Sequence, residues 1–406
     1  GEDEHVGLHI GQFNDSFRPV MDGVGVCMEN YTYWIRQNHG PATAVVPRVP
    51  GYRDNSDYEV LRFRAVALPR MKPFRVGLPW LDPRFMKNLR DTHFDLVHAH
   101  CPFVSGRLAR SISRRERVPM VATFHSKYRD DFHAATGSSS LAEIGVRYVI
   151  GFYSTAAHVW APNKATAATL HDYGYHGPVE IVPNGTDLEV PSREEGARLA
   201  ERGREAVGLR DSSVPMYLFV GQHRWEKNVE LIFRTLGLLR RTGTDFHMVF
   251  AGTGYAENAM QRMCRAEGVT NQVTFLGLVL ERERLKELYA AAHLLLFPSL
   301  YDNAPLVMRE AAGFGVPTVL VRGASAAEGV VDGVNGFLTE NNSQALAKLL
   351  THLAEQPEHC ERVGKGARRD IYLHWRDVVE QVYGRYEDIV ATSSRRTMLV
   401  DREVPS

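Results

Sequence analysis

The sequence predicts an α/β protein of two doubly wound domains, each a parallel sheet covered by helices on both faces. Three observations carry that expectation. Short β-rich runs alternate with helical patterns, as parallel sheets require. The alternation pauses once, across a charged stretch, and then restarts. The two stretches of alternation are similar in length, and 406 residues suffice for two substantial cores.

In order, "VGLHIG", "ATAVV", "FDLVHAH", "PMVATFH", "AHVWAP" and "VEIVPNG" read as the strands of a first domain over 1–187. Helical patterns cover 104–117 and 163–173. Residues 188–213 are charged and poor in large apolar side chains, which reads as a linker carrying a surface helix. "MYLFVG", "FHMVFAG", "QVTFLG", "HLLLFPS" and "PTVLV" then supply a second domain over 214–372. Apolar spacing over 370–392, including Trp375, Val379, Val382 and Tyr386, predicts an amphipathic terminal helix. Residues 373–406 form that helix and a loose tail.

Composition excludes several classes. Hydrophobic residues make up 44% and charged residues 24%, with formal net charge zero, so no global field selects nucleic acid. Four scattered cysteines without a CxxC pair argue against a disulfide framework and against a zinc site. No apolar run could span a bilayer and no leader pattern is visible, so the expected compartment is the cytoplasm. Charge is uneven, however. Residues 60–120 hold thirteen Lys/Arg against four acids, which suggests one face for anions.

Open parallel sheets bind ligands beyond the carboxyl ends of their strands, so chemistry belongs in the loops that follow them. After the first strand, Gly23 and Gly25 precede a helical pattern beginning near Met28, where backbone N–H groups could approach an anion; a plain glycine turn reads equally well. "AGTGYAENA" has Glu257 where a dinucleotide fingerprint needs its third glycine. His100 and His125 end two strands; each could touch a sugar hydroxyl, act as base, or be a buried hydrogen-bonded residue. His98 and His100 share a strand face without a carboxylate at ligand spacing, which disfavours a metal. Lys227 suits a diphosphate, or else pairs with Glu226 or Glu230. In "PSLYDNAPLVMREAAGFGVP", Pro305 suits the first helical position, so the N–H groups of Leu306 and Val307 face outward. Asp302 and Glu310 flank that start. They could accept from sugar and ribose hydroxyls, or simply satisfy the helix dipole, and Arg309 beside Glu310 offers a surface pair.

Together "DGVGV", "VHAH", "TFHSKY", "VPNGTDL", "GQHRWEKN", "AGTG", "TFLGLV" and "DNAPLVMREAAGFGVP" resemble the retaining glycosyltransferases of family 4, with the GT-B fold. The resemblance covers nearly the whole chain. It implies two Rossmann-like domains facing a central cleft, with the terminal helix crossing back to the first domain. It also implies site roles. Gly23 and Gly25 would approach donor phosphates and acceptor, His125 would lie by the transferred sugar, and Lys227 would bind diphosphate. Asp302 would hold sugar hydroxyls and Glu310 the ribose, with Leu278 and Val279 bordering the base. His100 and Lys127 fall on the acceptor side. Asp302 stands where the family has Glu, and Gln222 where it has Arg, a charge that Arg224 could replace.

The implied reaction is retaining transfer of a hexosyl group from a nucleotide sugar, UDP-linked by family frequency, without metal or other cofactor. "HAHCPFVSGRLA" and "TFHSKYRDDF" look most like the branch that glycosylates diacylglycerol. Arg107, Arg110, Arg114 and Arg117 at helical spacing could face anionic lipid at the inner face of the membrane, or form a solvated helix face. Rival readings are a soluble or protein acceptor, a sugar-nucleotide epimerase, and a non-catalytic nucleotide-sugar binder.

Overall fold

The computed structural model describes residues 7–68, 75–125, 128–302 and 306–403, with side chains as far as 396. It divides into two units, Gly1–Asn184 with Trp375–Ser406, and Gly185–His374.

The first unit contains β1 (Ile10–Phe13), β2 (Ala42–Pro47), β3 (Glu59–Phe63), the short antiparallel ribbon β4 (Ala65–Ala67) with β5 (Arg75–Gly77), then β6 (Leu96–Ala99), β7 (Met120–Thr123), β8 (His158–Ala161) and β9 (Glu180–Ile181). Seven of these form one sheet in the order β3-β2-β1-β6-β7-β8-β9, with every neighbouring pair parallel. The inner strands β1, β2, β6 and β7 are buried at every residue, as expected where helices cover both faces. The second unit contains β10 (Met216–Val220), β11 (His247–Ala251), β12 (Val273–Gly277), β13 (Leu294–Phe297), β14 (Thr318–Val321) and β15 (Phe337–Thr339). They form a six-stranded sheet in the order β12-β11-β10-β13-β14-β15. Strand order reverses between β1 and β6 and between β10 and β13. Those are the points where a ligand crevice opens in such sheets. The loops after these four strands carry most of the candidate residues.

Several sequence expectations change. The helix expected near Met28 begins at Gly23, because Asp22 caps it by accepting from the Gly25 N–H at 2.8 Å. The glycines therefore sit in its first turn. Residues 188–213 are not a linker. Leu188, Val207 and Leu209 are buried in the second unit's core, Leu199 is buried on the helix Arg193–Ala206, and that helix packs on the helix Arg282–Ala291, with Gly203 against the Glu287 carbonyl. Its apolar face was too sparse to announce burial. The terminal helix spans Trp375–Glu403, starting later and running further than its apolar spacing suggested. It belongs to the first unit, where Val378, Val379, Val382 and Tyr386 are buried. Among the described residues no helix is long and apolar enough to cross a membrane.

Candidate active site

In the second unit, β10 is followed by Gly221, and the chain turns through Gln222, His223 and Arg224 into a short 3-10 turn, Trp225–Lys227. Asn228 follows in the left-handed region, φ 58°. Its side-chain amide donates to the Pro298 carbonyl (3.1 Å) and to Asn341 (3.0 Å), tying this loop to the one after β13. That tie sets Lys227 against Asp302, Nζ to Oδ2 2.5 Å, with both side chains partly exposed. Lys227 thus pairs across 75 residues and not with its neighbours. Glu226 accepts from the Tyr255 hydroxyl, and Glu230 pairs with Arg234. Arg224 lies over the Tyr255 ring and donates to the Gln222 side-chain oxygen at 3.1 Å. The β11 loop packs backbone to backbone on the β10 loop. Gly252 has φ 137°, and a Cβ there would clash with the Gly221 carbonyl oxygen.

The helix Leu306–Gly313 follows the β13 loop. Pro305, read as its first residue, lies outside the described residues, as does Lys127. Leu306 is exposed, Val307 half-buried. Glu310 is only 3% exposed, and among the described residues its Oε2 has no hydrogen-bond partner. Burial pushes its carboxyl up, opposed by Arg282 and the adjoining Tyr289 hydroxyl, with Asp187 pushing the same way as burial. Arg282 in turn pairs with Asp187. The surface pair expected with Arg309 does not form, because Arg309 turns to the Ile371 carbonyl, 3.4 Å away. Leu278 is 62% exposed just past β12, and Val279 packs on the core. Tyr289, Arg282, Asp187 and Asn228 had escaped notice, since nothing local marks a residue whose partner lies far along the chain.

In the first unit the β1 loop and the glycine turn are joined by Ser16, which donates to Asp22 at 2.8 Å. Among the described residues a Cβ at Gly23 would meet nothing within 4 Å, and at Gly25 only ordinary contacts from 3.4 Å. Neither φ is positive, so packing by the protein itself does not demand glycine at either position. His125, half-buried, lies 3.2 Å from His100, Nε2 to Nδ1. Burial pulls the His125 imidazole down to about 4, with Asp22 opposing, and holds His98 and His100 well below the ordinary range. All three are therefore neutral at pH 7. His100 is wholly buried between Gln12 and His125, so it can reach an acceptor only through His125, which corrects its reading as an acceptor-side contact.

Cys27, His100 and His125 offer three ligand atoms within 4.8 Å of one another. Each already has a partner: the Cys27 thiol adjoins the Tyr31 hydroxyl, and the imidazoles meet each other. His100 is held further by Gln12, Nε2 to Oε1 2.6 Å.

On the helix Val104–Glu116, Arg107, Arg110, Arg114 and Arg115 line a shallow cavity of about 530 Å³ with Trp80 and Ser111. Arg117, expected in that stripe, instead ends the helix in the left-handed region, φ 55°. The helix Ser139–Tyr153 exposes Leu141, Ile144 and Tyr148 along one face.

The chain matches the family described as Glycosyltransferase Family 4 over residues 21–190 and the one described as Glycosyl transferases group 1 over 204–370. It is 24% identical to a GDP-mannose-dependent alpha-mannosyltransferase of Corynebacterium glutamicum, covering 96% of this chain and 91% of that protein. It is 21% identical to an alpha-monoglucosyldiacylglycerol synthase of Acholeplasma laidlawii, covering 96% and 99%. Among solved structures, the Anabaena HepE protein in complex with UDP superposes with TM-score 0.69 at 18% identity, covering 94% of this chain and all of that one. The sucrose-phosphate synthase of Thermosynechococcus elongatus gives the same TM-score and identity over 95% of this chain and all of that one. The fold shared with these structures is the GT-B fold.

Proposed function

The chain belongs to the family 4 and group 1 glycosyltransferases, which use a nucleotide sugar, and from that premise we propose that it transfers a hexosyl group with retention of configuration, from a UDP-sugar, to a hydroxyl of a membrane lipid. The Lys227–Asp302 pair at the strand reversal of the second sheet, eight residues before the buried Glu310, carries this reading. A diphosphate takes the Lys227 ammonium and releases the Asp302 carboxylate to accept from sugar hydroxyls. Glu310, with an unpartnered oxygen, accepts from the ribose. Gly23 leaves room that no atom of the described residues fills.

The anomeric carbon–oxygen bond to the diphosphate breaks, and a bond to the acceptor oxygen forms on the same face. The acceptor proton passes to the leaving diphosphate. Lys227 and the outward N–H groups of Leu306 and Val307 stabilise the developing charge without a metal. The lipid acceptor is supported by the arginine-lined cavity and the apolar face of the helix Ser139–Tyr153, since arginines beside exposed apolar side chains suit an anionic bilayer.

The test is a panel of UDP- and GDP-sugars in chelator, reading thermal protection and released nucleotide, then the anomeric configuration of the product by NMR. Retention with a UDP-sugar is expected. Protection by GDP-sugars alone overturns the donor assignment, and an inverted product overturns retention. Vesicle binding that ignores anionic lipid, or is unchanged in an Arg107→Gln, Arg110→Gln, Arg114→Gln variant, overturns the lipid surface.

A further inference from the structure

A continuous chain of hydrogen bonds runs through the interior of the first unit. His125 Nε2 meets His100 Nδ1 at 3.2 Å. His100 Nε2 meets Gln12 Oε1 at 2.6 Å. The Gln12 amide nitrogen donates to the Tyr386 hydroxyl at 3.0 Å, and that hydroxyl meets His98 Nδ1 at 2.5 Å. His98 Nε2 meets the Thr123 hydroxyl at 2.6 Å. Gln12, His98, His100 and Tyr386 are wholly buried. Trp160 stacks on Tyr386, and Tyr31 meets both inner histidines edge-on.

In so buried a chain each hydrogen serves one bond, so the direction of one fixes the rest. Tyr386 accepts from Gln12 and has one hydrogen, which goes to His98 Nδ1. Neutral His98 then carries its proton on Nε2 and donates to Thr123. On the other side Gln12 Oε1 takes a hydrogen from His100 Nε2, leaving His100 Nδ1 as acceptor. His125 must then donate from Nε2, and its Nδ1 keeps a lone pair. Turning the Gln12 amide over reverses every bond and puts a proton on His125 Nδ1.

We propose that Gln12, His100 and Tyr386 are positioning residues that hold His125 as the Nε2–H tautomer, so that its Nδ1 accepts from a sugar hydroxyl and does not donate. The last clause rests on the proposed place of His125 beside the transferred sugar. The wire does not. Tyr386 lies 374 residues from Gln12, so the terminal helix helps set the proton position in a loop after β7.

The experiment uses the full chain with ¹⁵N-labelled histidine, whose bare and protonated ring nitrogens differ widely in shift, with signals assigned from His98→Gln, His100→Gln and His125→Gln variants. At pH 7 all three histidines are expected as Nε2–H tautomers. Tyr386→Phe keeps the ring on Trp160 but removes the hydroxyl, freeing the Gln12 amide to turn. His125 is then expected to become a tautomer mixture, with kcat falling roughly 10-fold, the low end of the loss when hydrogen-bond partners that orient metal-bound histidines are removed, and nucleotide affinity unchanged. His125 protonated on Nδ1 in the wild type, or a His125 signal unmoved by Tyr386→Phe in a folded variant, overturns the wire. A moved tautomer with unchanged kcat upholds the wire and overturns the place of His125 beside the sugar.

Discussion

Replacing His223 by leucine should stabilise the second unit, and more so in mild acid. His223 is wholly buried among the rings of Phe219, Phe250 and Phe275, at 6.0–6.3 Å between centroids, and among the described residues neither ring nitrogen has a hydrogen-bond partner. An unsatisfied buried polar group costs about 1–3 kcal/mol. An imperfect volume match returns up to about 1.5 kcal/mol of that. The midpoints leave a net gain of about 1 kcal/mol for His223→Leu at pH 8, or roughly 2–4 °C in Tm for a unit of this size. Burial also holds the His223 imidazole below its ordinary value of 6.5. As pH falls through 6.5 the unfolded chain takes up a proton there and the folded chain does not, so the wild type loses stability that the leucine variant keeps. The gain should therefore be larger at pH 5.5 than at pH 8. Scanning calorimetry at both pH values, following the transition that nucleotide shifts, decides it. A lower Tm at pH 8 would refute the claim that the imidazole is unsatisfied, and an equal gain at both pH values would refute its depressed titration.

Lys227→Ala should lower turnover by at least 100-fold, the scale of one lost charge-stabilising group. Its effect on unfolding should stay within about 1 kcal/mol, because the Asp302 pair is partly exposed; a large stability loss with intact turnover would make the pair structural. Gly252→Ala should destabilise the second unit by more than about 2 kcal/mol, since φ 137° and the Gly221 carbonyl leave no room for a Cβ, and chemical denaturation measures it. Glu310→Gln should flatten the pH dependence. The raised folded-state carboxyl makes the wild type lose stability as pH rises from 4.5 through its shifted value, and glutamine removes that loss. A denaturation midpoint with the same pH slope in both proteins would contradict it. The first unit should lose stability as pH falls from 6.5 to about 4, where His125 finally titrates, with His98 and His100 adding to the loss, as urea midpoints across that range would report.

Local pattern determined much of this protein. Alternation of apolar runs with amphipathic stretches is a short-range signal, and it marked the buried strands and the two-domain plan. Ser, Asn and Asp at helix starts are equally local, as with Asn163 capping the helix Lys164–Asp172. The residue types around Lys227, Asp302 and Glu310 pointed to an anion and its hydroxyls, and the motif order to a family. Partner choice was not legible. Lys227 had Glu226 and Glu230 beside it, yet it meets Asp302, because strand order sets the β10 and β13 loops at one point of the sheet edge. Gln12 looked like a residue past the end of its strand, and Tyr386 like one more apolar position on a helix. Only the packing of the terminal helix on the first unit brings them together, and burial away from water then makes each hydrogen bond depend on the next. Periodicity reports which face of an element is buried; which element covers that face is set by sheet order and chain return, which leave no trace within a dozen residues.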